Sequence, residues 1–248
     1  MSSTLPAVVT IGNFDGVHLG HQKLVRDAAD RARALRLCSL AITFEPHPEL
    51  ILFPERRRTY LSNADERRAL LHACGIDEVW VCPFTTELAR LEPEDFIRMV
   101  ADRQPIAELW VGADFALGRG RKGTISVLSE IGSASGWGLH MVPPYRLEGQ
   151  VVSSTAIRTL LAAAAVRGAS DLLGRTYSVS GEIEEDILRV DPLRALPRPG
   201  VYDGQLHQDS ATHDVLVTVL ATPACVQLDA EVPRHEGPAV LDFLRRAD

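Results

Sequence analysis

Apolar runs and amphipathic segments alternate along the chain from Ala7 to about Ala165. Five short apolar runs, Ala7–Ile11, Cys38–Phe44, Glu78–Cys82, Glu108–Val111 and Leu139–Val142, predict strands covered on both faces. The segments between them carry helical periodicity with start and stop signals. Leu24, Val25, Ala28, Ala32 and Leu35 share one face of the first. Ser62-Asn-Ala-Asp65 opens the second as a capping box, and Gly75 ends it. Pro93 stands in the first turn of the third; the fourth runs from about Thr124 to Gly136, and the fifth starts at Ser154-Thr155. Five strand–helix alternations predict an α/β fold with a doubly wound, Rossmann-like parallel sheet. After Leu172-Leu-Gly-Arg175 the rhythm shortens to strand-like runs, Tyr177–Ile183, Gly200–His207, Val215–Ala221 and Cys225–Val232. A final helix is expected over Pro238–Arg246, with Val240, Leu241 and Leu244 as its apolar stripe. The pattern therefore predicts two domains, 1–168 and a small all-β C-terminal domain, 169–248.

Composition narrows the setting. With 46% hydrophobic and 24% charged residues among 248, the chain reads as an ordinary globular protein. Its longest apolar candidate, Leu160–Val166, is far too short to span a bilayer, so no membrane partner is expected. Met1–Pro6 lacks the basic-then-apolar design of a signal peptide, and the four cysteines are scattered without a CxxC pair. Together these predict a reduced, cytoplasmic protein. The net charge of −7 argues against nucleic-acid binding. Residues 1–169 balance to zero, so the whole excess falls on the tail, which marks it as a different unit. The oligomeric state has no signature in these patterns.

Chemistry concentrates where the first strand hands over to the first helix, in Ile11-Gly-Asn-Phe-Asp-Gly-Val-His-Leu-Gly-His-Gln-Lys-Leu-Val25. His18 and His21 are spaced i, i+3 at a helix start, so both rings can face one point. Free backbone N–H groups and the positive dipole end share that point. Zinc ligation, acid–base work, anion binding and a bland surface pair are the four readings. Zinc wants a further ligand such as the Glu of an HExxH, and none follows, so no metal site is assigned. Gly20 and the Asn13-Phe-Asp-Gly16 turn favour phosphate binding, because glycine lets a ligand approach the backbone. Gly112-Ala-Asp-Phe115 and Ser153-Ser-Thr155 fall on the same predicted sheet edge, where doubly wound sheets bind their ligands.

The run GNFDGVHLGH resembles the HxGH signature of the nucleotidyltransferase superfamily, in the form carried by bacterial bifunctional riboflavin kinase/FAD synthetases. The resemblance continues through Thr43-Phe-Glu-Pro-His-Pro48, Gly112–Gly123 and Ser153-Ser-Thr-Ala-Ile-Arg158, four motifs in the family's order. It implies an FMN adenylyltransferase-like domain over 1–168. There the phosphate of FMN attacks the α-phosphorus of ATP, pyrophosphate leaves and FAD forms, with Mg²⁺ bridging the ATP phosphates. It makes His18, His21 and Arg158 catalytic. It gives Gly12, Phe14, Asp15, Gly20, Ser154 and Thr155 to the nucleotide, the last two as helix caps. It gives Pro46, His47, Pro48 and Asp114 to the flavin. Arg119, Arg121 and Lys122 form either a solvated loop or a phosphate-facing flap.

Departures from the family pattern matter as much. The polar residue and second aromatic that usually follow Asp-Phe are Ala116 and Leu117 here, and a commonly basic position is Val151. A transferase of the same chemistry acting on another phosphorylated acceptor is therefore the first alternative, and a non-catalytic flavin- or nucleotide-binding regulator the second. In the tail, Leu172–Gly181 and Leu188–Tyr202 match the family's kinase module. Its glycine-rich ATP loop and Pro-Thr-Ala-Asn are replaced by Glu182-Ile-Glu-Glu-Asp-Ile187, and its catalytic Glu has no counterpart in Val215–Val219. A degenerate module without riboflavin kinase activity is expected.

Overall fold

The computed structural model describes residues 5–56, 58–221, 225–229, 232 and 234–247. They fall into two compact units, 1–58 with 64–146, and 59–63 with 147–248.

The first unit is built on five parallel strands, β1 (Ala7–Ile11), β2 (Cys38–Glu45), β3 (Glu78–Pro83), β4 (Ile106–Gly112) and β5 (Gly138–Val142). Their order is β3-β2-β1-β4-β5, so the winding direction reverses between β1 and β4. Helices α1 (Leu19–Leu35), α3 (Ala64–Ala73), α4 (Pro93–Arg103) and α5 (Ile125–Ser135) form the crossovers, and α2 (Pro48–Leu52) is one short turn. Strand β1 is buried throughout, which explains its unbroken apolar run. Ala7, Val9 and Ile11 join a core with Phe96, Ile97 and Val100 of α4 and Leu128 of α5. Val8 points the other way, onto Ala28 and Ala32 of α1. Leu35, expected on that buried face, is exposed as α1 ends at a left-handed Arg36. Pro93 opens α4 as its first residue, and Gly136 closes α5 in the left-handed conformation.

A buried carboxylate fixes α1 against the sheet. Glu108 on β4 accepts from Arg31 of α1 (3.0 and 2.7 Å) and from Trp110 Nε1 (3.0 Å). The Arg31 hydrogen bonds hold the Glu108 carboxyl below the usual carboxylate range, with burial opposing.

The chain passes into the second unit within β6 (Arg146–Leu147), which forms a short ribbon with β7 (Gln150–Val151), and continues with α6 (Ser154–Ala162) and α7 (Val166–Leu173). The remainder is a closed barrel of β8 (Tyr177–Glu184), β9 (Ile187–Val190), β10 (Gly200–Gln208), β11 (Ala211–Val219), β12 (Cys225–Leu228) and β13 (Gly237–Arg246), ordered β10-β11-β12-β9-β8-β13. Gly181 sits where β8 and β9 nearly touch: an added Cβ would stand 2.3 Å from the Arg189 carbonyl oxygen.

Three expectations are corrected here. Pro238–Arg246 is not a helix but the barrel strand β13, pairing with β8 and β10. Its buried residues, Ala239, Leu241 and Phe243, follow a period of two, and Val240 and Leu244 face solvent. Helix α7 was not expected as a separate element, because the alanine run before it hides the break at Ala164, a left-handed residue. The strand expected over Cys225–Val232 ends at Leu228, and its Ala230 and Glu231 lie outside the described residues.

The strand assignment has a direct check. Leu241→Ala should cost about 2–4 kcal/mol in urea unfolding, whereas Val240→Ala should stay within about 0.5 kcal/mol. A helix burying Val240 and Leu241 together would penalise both.

Candidate active site

The chain leaves β1 into a turn that only a few side chains can occupy. The Gly12 N–H donates to the Ile42 carbonyl of β2 (3.0 Å), and an added Cβ would stand 3.0 Å from the Phe14 ring. Phe14 (φ 47°), Gly16 (φ 75°) and Val17 (φ 38°) are all left-handed. For a buried β-branched residue such as Val17 this is a costly conformation, of the kind that concentrates at functional sites. The Val17 N–H closes the turn on the Phe14 carbonyl (2.9 Å), and β2 holds it from the side through Thr43 Oγ1, which donates to the Asn13 carbonyl (3.0 Å).

This turn delivers His18 as the N-cap of α1. Its Nδ1 accepts from the His21 N–H (3.3 Å), and the two rings stack with centroids 3.7 Å apart and 16° between planes. Phe14 packs edge-on against His21 at 5.3 Å. A ring whose Nδ1 accepts a hydrogen bond presents its N–H at Nε2. His21 keeps part of its ring surface open, but its Nδ1 is buried and has no partner among the described residues. Burial pushes the His21 pKa well below 6.5, and the neighbouring His18 lowers it further. The helix start is thus occupied by its own imidazole, which takes the His21 amide expected to be free. Gly20 is the second residue of α1, in the first turn, where helix amides have no partner four residues back.

A cavity of about 600 Å³ opens at the carboxyl ends of β1, β2 and β4, and it shares Gly12 and Asn13 with the turn that leads to this pair. Phe44, Phe53, Phe84, Phe96 and Phe115 supply five aromatic rings to its wall, and Phe44 meets Phe84 edge to face at 5.6 Å. Pro48 and Asp114, expected at the flavin, line it, as do Gly12, expected at the nucleotide, and Asn13, Glu49 and Arg121. Ala116 also lines it, and Leu117 is largely withdrawn into the core. The wall therefore keeps an aromatic character that Ala116 and Leu117 alone would not suggest.

Pro46 and His47 are not among the cavity's lining residues. His47 is buried under the loop that follows the cis Glu45–Pro46 bond, and its Nδ1 caps α2 by accepting from the Glu49 N–H (3.3 Å). Burial lowers its pKa, with the charges of Asp15 and Glu49 pulling it partly back up. Asp15 is itself buried in the turn, so it serves the fold of the turn there.

The basic loop closes on itself through paired Leu117 and Gly123 backbone hydrogen bonds (3.1 and 2.9 Å), and an added Cβ on Gly118 would stand 3.0 Å from Pro93. Its exposed cations are parked: Lys122 on Glu92 (3.0 Å), Arg119 near the same carboxylate (3.9 Å), Arg121 on the Asp114 carbonyl (2.9 Å).

In the second unit, α6 begins at Ser154 and Thr155, but its cap is Ser153, whose Oγ accepts from the Ala156 N–H (3.2 Å). Ser153 has the extended backbone a cap requires, which leaves Ser154 and Thr155 as the first two helical residues, not caps. Arg158 lies half-buried one turn further on. Among the described residues no cluster of three His, Cys, Asp or Glu side chains could hold a metal ion, and no helix is long and apolar enough to cross a membrane.

A doubly wound parallel sheet whose switch point carries an imidazole pair and an aromatic-walled cavity has its candidate ligand site at the carboxyl ends of the strands. The family model for FAD synthetase matches residues 1–156, and the chain belongs to that family. It is 36% identical over 177 residues to a bifunctional riboflavin kinase/FMN adenylyltransferase from Pseudomonas fluorescens, covering 71% of this chain and 57% of that enzyme. A protein named FAD synthetase from Listeria monocytogenes is 29% identical over 197 residues, covering 79% of this chain and 80% of that one. The chain thus spans little more than half the length of the Pseudomonas enzyme. Among solved structures, one described as a macrolide-efflux protein from Streptococcus pneumoniae superposes with a TM-score of 0.87 at 23% identity, over 99% of this chain and 86% of that one, which shows the fold alone.

The lowered His21 pKa predicts a pH dependence of stability. As pH falls below about 6.5, the unfolded chain takes up the proton before the folded one does. The contribution is therefore complete above that pH and lost below it. The melting temperature should drop between pH 6.5 and 5, and His21→Gln should drop less over the same interval. Parallel curves would show that His21 is not the buried neutral group.

Proposed function

We propose that the protein is an FMN adenylyltransferase, joining FMN to the adenylyl group of ATP. The observation that carries this is that one turn after β1 serves both the stacked His18–His21 pair and, through Gly12 and Asn13, the five-phenylalanine cavity. A planar tricyclic acceptor matches aromatic walls far better than a sugar phosphate would, which favours FMN over other phosphorylated acceptors. The nucleotide enters as its Mg²⁺ complex, the metal being held chiefly by phosphate oxygens, and the reaction is assigned to the cytoplasm.

In the proposed reaction an oxygen of the FMN phosphate attacks the α-phosphorus of ATP. The bond from that phosphorus to the bridging oxygen breaks, and pyrophosphate departs with the electron pair. Such a transfer is mostly positioning and charge stabilisation. His18 offers its Nε2–H to the phosphate oxygens, and His21 lies against it in van der Waals contact. His21, its pKa pushed well below 6.5 by burial and by His18, enters as a neutral ring. The Gly20 amide and the α1 dipole add to the same anion site. Arg158 would meet the triphosphate from α6, a role that rests on the family's motif.

Residues 1–168 form the adenylyltransferase part in this reading, and residues 169–248 a kinase-like module without kinase chemistry. Support comes from the β8–β9 hairpin. Glu184 pairs with Ile187, so only Glu185 and Asp186 link the strands, with Glu185 left-handed. Two acidic residues cannot cradle a triphosphate.

The test is chromatographic. Purified protein with Mg·ATP should yield FAD and pyrophosphate from FMN, and no FMN from riboflavin. FMN formed from riboflavin would overturn the second half, and absence of FAD the first. His21→Ala should lower turnover by a factor of about 100, within the range for loss of one transition-state donor. Turnover at the wild-type rate would remove His21 from the mechanism.

A further inference from the structure

Arg67 of α3 is a charged side chain 1% exposed, the largest fully buried one in the chain. A guanidinium taken out of water is costly unless it is closely paired, and its retention calls for a reason. Its Nη2 donates to the Phe44 carbonyl (2.9 Å) and to the Glu45 carboxylate. Both acceptors belong to the last two residues of β2, immediately before the Pro46-His47-Pro48 loop.

Those two residues carry the cavity wall. Phe44 is itself one of the five aromatic rings, packed on Phe84 and Phe96 (5.6 and 6.2 Å). The Glu45 carbonyl accepts from the Phe84 N–H (2.9 Å), so Glu45 joins the end of β2 to the residue that follows β3. The loop after Glu45 then sets His47 and, through it, α2, whose Pro48, Glu49 and Leu52 line the cavity. One buried guanidinium nitrogen, Nη2, thus grips the point from which three wall segments diverge. The guanidinium stays charged when buried and offers several N–H donors in one plane, so a single Nη2 can serve a carbonyl and a carboxylate at once, where lysine offers a point charge.

We infer that Arg67 is a positioning residue for the acceptor: by clamping Phe44 and Glu45 it sets the aromatic wall against which the flavin ring stacks. The inference rests on the proposed use of the cavity by FMN, and its test separates the two.

Full-length Arg67→Met and Arg67→Lys, with Glu45→Gln, are compared with the unaltered protein. Three things are measured: KM for FMN and for ATP, quenching of FMN fluorescence on binding, and amide hydrogen exchange. For Arg67→Met the expected outcome is at least a tenfold rise in KM for FMN, KM for ATP within twofold, and faster exchange at the Phe84 amide with Val9 and Ile11 unchanged. Arg67→Lys should recover part of the FMN loss. Glu45→Gln, altering a half-exposed carboxylate, should raise KM for FMN about threefold and decides the matter if Arg67→Met does not fold. Equal rises in both KM values, or exchange accelerated throughout the sheet, would reduce Arg67 to a structural ion and overturn the inference. Unchanged FMN binding with an unchanged Phe84 amide would do the same. If the unaltered protein makes no FAD, the functional reading fails, and the exchange pattern at Phe84 still decides whether Arg67 holds the wall.

Discussion

The site depends on one backbone constraint, the turn from Phe14 to Val17. Two buried non-glycine residues there are held at positive φ, Val17 among them. Such a turn persists only because its surroundings over-determine it. β2 supplies much of that support, through Ile42 to Gly12 and Thr43 to Asn13, and the Phe14 ring fills the space that glycine leaves at position 12. The result is an α1 that starts on a histidine, with a second histidine stacked on the first. Removing the cap would free an amide; removing the turn would remove the site.

β2 also ties the two halves of the site together. Its Ile42 and Thr43 hold the histidine turn, and the next two residues, Phe44 and Glu45, hold the cavity wall and receive Arg67. A shift of this strand end would move the imidazoles and the aromatic wall together. That coupling suits a reaction in which two substrates must meet in line, where small misplacements are costly.

The sheet was legible because buried parallel strands leave unbroken apolar runs, and the crossovers because Pro93, Thr124 and Gly136 punctuate them. The imidazole pair was legible because its spacing is local. What stayed hidden was assembled from distant segments. The five phenylalanines come from a strand, a helix and separate loops with no shared period, so Phe53, Phe84 and Phe96 give no signal. Nothing in the sequence around Arg67 marks it out, and only its burial reveals it. His47 lay within a recognisable motif, but its role as a cap depends on the direction of its ring. In the tail, Val240, Leu241 and Leu244 satisfied a helical spacing by coincidence, and Ala239 and Phe243, the true partners of Leu241, were overlooked. Short apolar runs fit both periods, and here strand pairing to β8 and β10 decided between them.

The central claim is that His18 and His21 form a stacked pair, with the His21 ring neutral, that meets the nucleotide's phosphates. Nitrogen-15 spectra of histidine-labelled protein at pH 7 test it most directly. The account predicts neutral-imidazole shifts for His21 in the free protein, and a change in the ring nitrogens of the pair as Mg·ATP is added. A cationic His21 in the free protein, or rings indifferent to saturating nucleotide, would contradict it.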